Sequence, residues 1–245
     1  MLHTLCALLS AGWFLSFGGI YPMHRLKRIS DPAKRDQYAL ETVQKAMHRL
    51  LKVSGVTFEV QGLEHVPEDE PVLFVGNHRS FFDVIIGYTL VRKPTGFIAK
   101  IELAKVKPLK RWMEYVNCLF LDRDDLKQNL KVIIDAIKNV RAGRCSYWIY
   151  PEGTRSKGTD PRDMLPFKAG SFKIAEKTGC KIIPVAMTGT REILEAHFPK
   201  IVPGHVKVSI GEPIVISELP EEERKHLGEY TRNVLIRLID DMEKD

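Results

Sequence analysis

Short apolar runs recur along the chain from residue 55 onward. They are Pro71–Gly76, Gly96–Ala99, Cys118–Leu121, Ser146–Tyr150, Ile182–Met187 and Val206–Ile210, each bounded by Pro, Gly or charged residues. Runs of this length with such boundaries predict strands. Between and after them the period changes. Leu126, Leu130, Ile133, Ile134 and Ile137 lie at helical spacing, as do Leu227, Tyr230, Val234, Leu235, Leu238 and Met242. Strands alternating with helices predict an α/β fold, a mixed and largely parallel sheet covered by helices. No internal repeat and no low-complexity linker interrupts the pattern.

The first 54 residues read differently. Leu2 to Tyr21 carries no Lys, Arg, Asp or Glu. It lacks the charged start and small-residue cleavage site of a signal peptide. It is only just long enough to span a bilayer, and Gly12, Gly18, Gly19 and Pro22 weaken a straight helix. From Pro32 to Val53, Ala39, Leu40, Val43, Ala46, Met47 and Leu50 form an apolar stripe opposite a basic face. An apolar helix, a Tyr-Pro break and a basic amphipathic helix together predict an interfacial membrane anchor. A single spanning helix and a buried core helix are the alternatives. The expected organisation is a membrane-associating segment over 1–54 and a catalytic domain over 55–245.

Charge sharpens this picture. The net charge is +6, but residues 23–53 hold eight Lys/Arg against three acids, and residues 98–111 hold five against one. Such clusters attract polyanions, and after an apolar segment they favour an anionic lipid surface over nucleic acid. The expected location is the cytoplasmic face of a membrane. Cys6, Cys118, Cys145 and Cys180 are scattered with no C-x-x-C pair, so neither a metal site nor a disulfide framework is indicated. Reduced thiols are expected.

The candidate chemistry follows two of the strands. After Val72–Val75 comes Asn77-His78-Arg79-Ser80-Phe81-Phe82-Asp83, and after Ser146–Tyr150 comes Pro151-Glu152-Gly153-Thr154-Arg155. The first offers a proton acceptor with a carboxylate five residues on. The second offers a cation. Strand ends are where ligands bind in open α/β sheets, so a base and an anion site are expected to face one pocket. Ser80-Phe81-Phe82-Asp83 before an apolar run also fits a helix capping box, and Asp83 then acts only as a cap. The capping and dyad readings are compatible.

These blocks resemble the 1-acyl-sn-glycerol-3-phosphate acyltransferase family of glycerolipid acyltransferases, with its His-x4-Asp motif. NHRSFFD and YPEGTRS match two of its blocks, about 70 residues apart. Phe120-Leu121-Asp122-Arg123 is similar to a further block between them, and Ile182-Ile183-Pro184-Val185 to a fourth. The family pattern has glycines where Lys110-Arg111 and Asn117 stand here, which leaves the loop geometry there open.

The resemblance implies acyl transfer from a thioester, on coenzyme A or acyl carrier protein, to the free hydroxyl of lysophosphatidic acid. No cofactor is implied beyond that co-substrate. His78 would take the hydroxyl proton, and Asp83 would fix the imidazole tautomer. With no activated Ser or Cys in the pattern, direct attack is favoured over an acyl-enzyme. Amides at the helix start after Ser80 are candidate oxyanion donors. Arg155, Arg123 and Lys100 are candidates for the acceptor's phosphate, because a guanidinium fork binds phosphate bidentately. Glu152 is expected to bind a glycerol hydroxyl or to orient Arg155, and Gly153 to permit a tight turn. Another phosphorylated or lyso-lipid acceptor is the nearest alternative. A non-catalytic basic membrane- or nucleic-acid-binding module explains the charge, but not two complete motifs.

Overall fold

The computed structural model describes residues 1–122 and 124–244 of the chain. Its centre is a seven-stranded sheet formed by β1 (Val56–Gln61), β2 (Leu73–Gly76), β3 (Thr95–Lys100), β4 (Leu119–Leu121), β5 (Ser146–Ile149), β6 (Ile182–Thr188) and β7 (Gly204–Ile210). The spatial order is β1-β7-β6-β2-β5-β3-β4. Every pairing is parallel except β6 with β7. The six expected strands form, with ends shifted by at most two residues. β1 is the one the run pattern does not mark. Val56, Phe58 and Val60 alternate there with Thr57, Glu59 and Gln61, the pattern of an edge strand wet on one face.

The helices are α1 (Leu2–Trp13), α2 (Ile20–Leu26), α3 (Pro32–Ser54), α4 (Phe81–Leu90), α5 (Lys107–Tyr115), α6 (Leu126–Arg141), α7 (Lys173–Thr178), α8 (Thr190–Ile193), α9 (Glu221–Lys225) and α10 (Leu227–Lys244). Side chains on successive strand residues point to opposite faces, so the sheet feeds two cores. Phe74, Trp148, Ile183 and Val185 pack on the face covered by α3, α4 and α5. Leu73, Val75, Tyr147, Ile149 and Ile182 pack on the face covered by α6, α7 and α10.

α3 is built as the sequence predicts. Asp31 caps it, its side chain accepting from the amides of Ala33 at 2.9 Å and Lys34 at 3.3 Å, with Pro32 at the first position. Gly55 ends it in the left-handed region, φ 68°. Its stripe does not float free of the α/β layer. Ala39, Leu40, Val43 and Leu51 are buried in the same core as Phe74 and Trp148. The first 54 residues and the α/β layer therefore share one packed interior.

The apolar start differs from expectation in one respect. The break falls at Gly18-Gly19, not at Tyr21-Pro22. A five-residue π-turn, Phe14–Gly18, ends α1, and α2 departs at 45°. The six-membered ring of Trp13 fills the space where any side chain at Gly18 would stand, with a built Cβ only 2.1 Å from it. Pro22 sits in the first turn of α2, where its missing N–H costs no helical bond. Among the described residues no single helix is long and apolar enough to cross a membrane, although the bent pair passes together by length and composition. Leu2, Leu5, Leu8, Leu9, Trp13, Phe17, Ile20 and Tyr21 all expose large apolar side chains.

Of the two places where the family pattern has glycines, Lys110-Arg111 lie within α5, and Asn117 takes a glycine-like conformation. It adopts φ 61°, and Asn is among the few residues that enter this region at low cost.

Candidate active site

β2 ends at Gly76, and the next four residues turn into α4. Asn77 fixes the turn: its amide Nδ2 donates to the Met187 carbonyl at 2.9 Å, and its Oδ1 accepts from the Met187 amide at 2.9 Å. The loop is thereby tied to β6. His78 follows, with its Nδ1 2.9 Å from Asp83 Oδ2. The same oxygen accepts from the amides of Arg79 and Ser80, each at 2.7 Å. Ser80 Oγ accepts from the Phe82 amide at 3.1 Å, so the capping box and the His–Asp pair are one structure. Asp83 is buried, and the imidazole keeps 19% of its side-chain exposure. With Nδ1 held by the carboxylate, Nε2 is the nitrogen left to take a proton.

Tyr150 completes the imidazole's setting. Its ring stacks on His78 with centroids 4.2 Å apart and planes 14° apart. Its hydroxyl is buried without a partner among the described residues, and burial, aided by the Asp83 charge, pushes it well above the ordinary phenol range.

Glu152 does something other than expected. Its Oε1 accepts from the His78 amide at 2.7 Å, and its Oε2 from the Leu165 amide at 2.9 Å. The residue is 3% exposed and is absent from the lining of the cavity described below. A contact to a glycerol hydroxyl or to Arg155 gives way to a clamp that joins the two catalytic-motif loops. Burial raises its carboxyl above the usual range, while the two amides pull it down. Gly153 turns the chain at φ 72°, as its place in a tight turn requires.

Arg155 is held from two sides. Its Nη1 donates to Glu195 Oε1 at 2.5 Å, and its guanidinium lies 4.3 Å from the centre of the Phe81 ring. Glu195 Oε1 also accepts from the Phe81 amide at 3.1 Å. The amides of Phe81 and Phe82 are thus engaged by Glu195 and Ser80, which removes them as free oxyanion donors in this state. Lys100 ends β3 and carries no ion-pair partner among the described residues. Arg123 lies outside the described residues. Arg79, beside the histidine, is not a free cation. It is buried and donates to the carbonyls of Asp160, Gly158 and Thr159 at 2.5, 2.6 and 3.0 Å, locking the loop after Arg155.

These residues meet at one cavity of about 790 Å³. His78, Lys100, Gly153, Tyr150 and Arg155 line it, with Lys45 and Arg49 of α3 and Lys168 as further cations. Phe14 and Leu15, Val43 and Met47 of α3, and Trp112 and Met113 of α5 are among its many apolar walls. The size suits a small-molecule or lipid ligand. Among the described residues no group of His, Cys, Asp and Glu is placed to hold a metal ion.

Sequence reasoning picked out the residues of the His78–Asp83 contact, the turn at Gly153, and Lys100 and Arg155 among the cations that line the cavity, but not Lys45, Arg49 or Lys168. It missed Glu195 and Tyr150 as partners, and it misassigned Glu152. Glu195 has no sequence signal, being 40 residues from Arg155. Tyr150 stood inside a recognised motif, and its place one residue past the strand was the available hint.

A largely parallel α/β sheet that brings a His–Asp pair and an arginine to its strand ends, beside a cavity with many apolar walls, fits an enzyme of group transfer. The acyltransferase family model matches residues 57–188, which is more than half of the chain, and the chain belongs to that family. It is an acyltransferase. It is similar to the 1-acyl-sn-glycerol-3-phosphate acyltransferase of Escherichia coli (strain K12), at 25% identity over 80% of this chain and 78% of that one. The chloroplastic 1-acyl-sn-glycerol-3-phosphate acyltransferase BAT2 of Brassica napus is 34% identical over 70% of this chain and 50% of its own. The crystal structure of PlsC, the 1-acyl-sn-glycerophosphate (LPA) acyltransferase of Thermotoga maritima, superimposes with a TM-score of 0.84. It covers 100% of this chain and 97% of that one at 27% identity.

Proposed function

We propose that the protein transfers a fatty acyl group from an acyl thioester to the sn-2 hydroxyl of lysophosphatidic acid, forming phosphatidic acid in phospholipid biosynthesis. The single observation that carries this reading is the His78–Asp83 pair opening on a cavity lined both by cations and by many apolar side chains. The names of the similar proteins support the acceptor.

In the reaction, the acceptor hydroxyl attacks the thioester carbonyl while His78 Nε2 takes its proton. A neutral imidazole is suited to that transfer. Asp83 Oδ2 holds Nδ1–H, sets the tautomer and stabilises the imidazolium. The proton then passes from His78 to the departing thiolate. The apolar walls of the cavity hold an acyl chain, and Arg155 with Lys100 holds the acceptor's phosphate. Arg123 is assigned to the same phosphate on its motif alone. Gly153 lets the backbone turn beside that phosphate, and Glu152 keeps the two loops in register. The reaction needs no cofactor beyond the thioester, on coenzyme A or acyl carrier protein.

Residues 1–54 act as the membrane-associating part and 55–245 as the acyltransferase part, a division of function rather than of packing. The exposed apolar faces of α1 and α2 lie in the lipid interface on the cytoplasmic side, with the basic residues beside them on anionic headgroups.

The test is an assay of purified protein in detergent with lysophosphatidic acid and parallel panels of acyl-coenzyme A and acyl carrier protein donors. Phosphatidic acid formation with at least one panel is expected. Faster transfer to glycerol 3-phosphate or to an unphosphorylated monoacylglycerol overturns the acceptor.

A further inference from the structure

A second concave site of about 590 Å³ lies on the other side of α2 and α5 and shares no lining residue with the cavity at His78. Five basic side chains from four places in the chain line it. They are His24 and Lys27 at the end of α2, Arg35 of α3, Arg111 of α5 and Arg144 before β5. Two acids stand among them, and both are already engaged. Asp36 is 2% exposed and accepts from Arg144 Nε at 2.8 Å and Nη2 at 3.3 Å, with Arg35 Nε 3.8 Å away. Glu114 pairs with Lys110 at 3.4 Å. His24, Lys27 and Arg111 have no ion-pair partner among the described residues.

Gathering cations around neutralised acids leaves an excess of positive charge in a concave space. Like charges at short range raise the energy, and an incoming anion relieves it. The buried Asp36 fixes the Arg144 guanidinium in place, so part of the site is preorganised. Planar arginine forks match the oxygens of a phosphate group. The rim gives the second clue. Ile20 lines the site and is 43% exposed, with Met23 one turn further along α2 in the same lining. A phosphate bound here has an apolar surface immediately beside it, which suits an amphiphile.

We propose that this pocket binds the phosphate of an anionic phospholipid headgroup as a docking ligand that is neither acceptor nor product of the reaction. It rests on charge and burial at the pocket and not on the acyl-transfer reading.

The test compares two double variants of the full chain in cosedimentation with vesicles of phosphatidylcholine, with and without phosphatidylglycerol. Lys27→Ala/Arg111→Ala removes the Lys and the Arg that have no ion-pair partner in the pocket and leaves His24 in place. Arg28→Ala/Lys34→Ala removes two basic residues outside it. A charge-assisted contact in a formed site is worth at least about tenfold, so the pocket pair should lose about 100-fold on phosphatidylglycerol vesicles if the two act additively, against at most about 25-fold for two diffuse surface charges. The control pair should lose clearly less, and phosphatidylcholine alone should separate none of the three proteins. Equal losses in the two pairs overturn the proposal in favour of diffuse charge, as does failure of the native chain to prefer phosphatidylglycerol. Inorganic phosphate at constant ionic strength forms the second arm. Displacement of the native chain toward the pocket variant's level supports a phosphate site. Calorimetric binding of inorganic phosphate together with no vesicle preference assigns the pocket to free phosphate and overturns the lipid. Equal melting temperatures and equal turnover on a short-chain acceptor in detergent verify that the variants fold.

Discussion

At the scale of single residues, the site depends on a few polar atoms with defined partners. His78→Ala removes the proposed proton acceptor, so turnover should fall by about 10²–10⁴-fold while the melting curve stays close to native. Asp83→Asn should also be severely impaired in turnover. Because Asp83 Oδ2 accepts from His78, Arg79 and Ser80 together, this variant should lose stability as well. Near-native turnover with a lowered melting temperature would make Asp83 a cap and nothing more.

Arg155→Ala should raise the acceptor KM far more than the donor KM. A charge-assisted contact is worth roughly 1.5–3 kcal/mol, or about 10- to 150-fold. Arg155→Lys should recover only part of that, because the fork and the seat on Phe81 are lost. Similar rates with monoacylglycerol and lysophosphatidic acid would remove the phosphate role.

Glu152→Gln tests the clamp. The amide offers one oxygen to two backbone donors, and the second donor then faces an NH₂ group. A buried unsatisfied donor costs about 1–3 kcal/mol, read as a drop of about 2–4 °C per kcal/mol at this chain length. The pH dependence has a definite sign. Burial raises the folded-state value of Glu152, so the folded chain keeps that proton to a higher pH than the unfolded chain does. The associated stability is present in acid and is lost as pH rises from the ordinary carboxylate value through the raised one. Melting profiles of the native chain and Glu152→Gln should differ in slope over that window. Parallel profiles would contradict the clamp's buried setting.

At the scale of elements, what was legible followed burial. β2, β5 and β6 are covered on both faces, and so their sequences are continuous apolar runs that stand out. β1 is an edge strand, and its alternation over six residues gives no run. The His–Asp pair was legible because both groups sit within one turn-and-helix start. The Arg155–Glu195 pair was not, since only the fold brings α8's end to the loop after β5. The break in the N-terminal helix was misplaced because proline is a helix breaker only past the first turn, whereas Gly18 is needed for the ring of Trp13.

α3 provides the element-scale prediction. Removing residues 1–54 takes away Leu40, Val43 and Leu51 from the core shared with Phe74 and Trp148. Each buried aliphatic side chain contributes about 1.5–3 kcal/mol, so the total rivals the whole stability of a typical protein. The truncated chain should lose cooperative thermal unfolding. A sharp, native-like transition by circular dichroism would show that the α/β layer stands without α3.

At the scale of the whole molecule, apolar and basic surfaces lie on the same N-terminal part, and this predicts two components of membrane association. The apolar faces of α1 and α2 give a term that salt does not screen. The basic residues give one that falls off over a Debye length of about 8 Å at physiological salt. High salt should therefore loosen the protein from anionic vesicles without releasing it. Complete release by salt alone would contradict insertion of Leu2–Tyr21 at the interface.

Base and phosphate site belong to one claim, and the assay of phosphatidic acid formation from lysophosphatidic acid by native protein and by His78→Ala, in detergent with both donor types, tests it most directly. The account predicts turnover by the native chain with at least one donor, and its near-complete loss in a His78→Ala protein that still melts like the native one. Undiminished turnover in that variant, or no transfer to lysophosphatidic acid by the native chain with either donor, would contradict it.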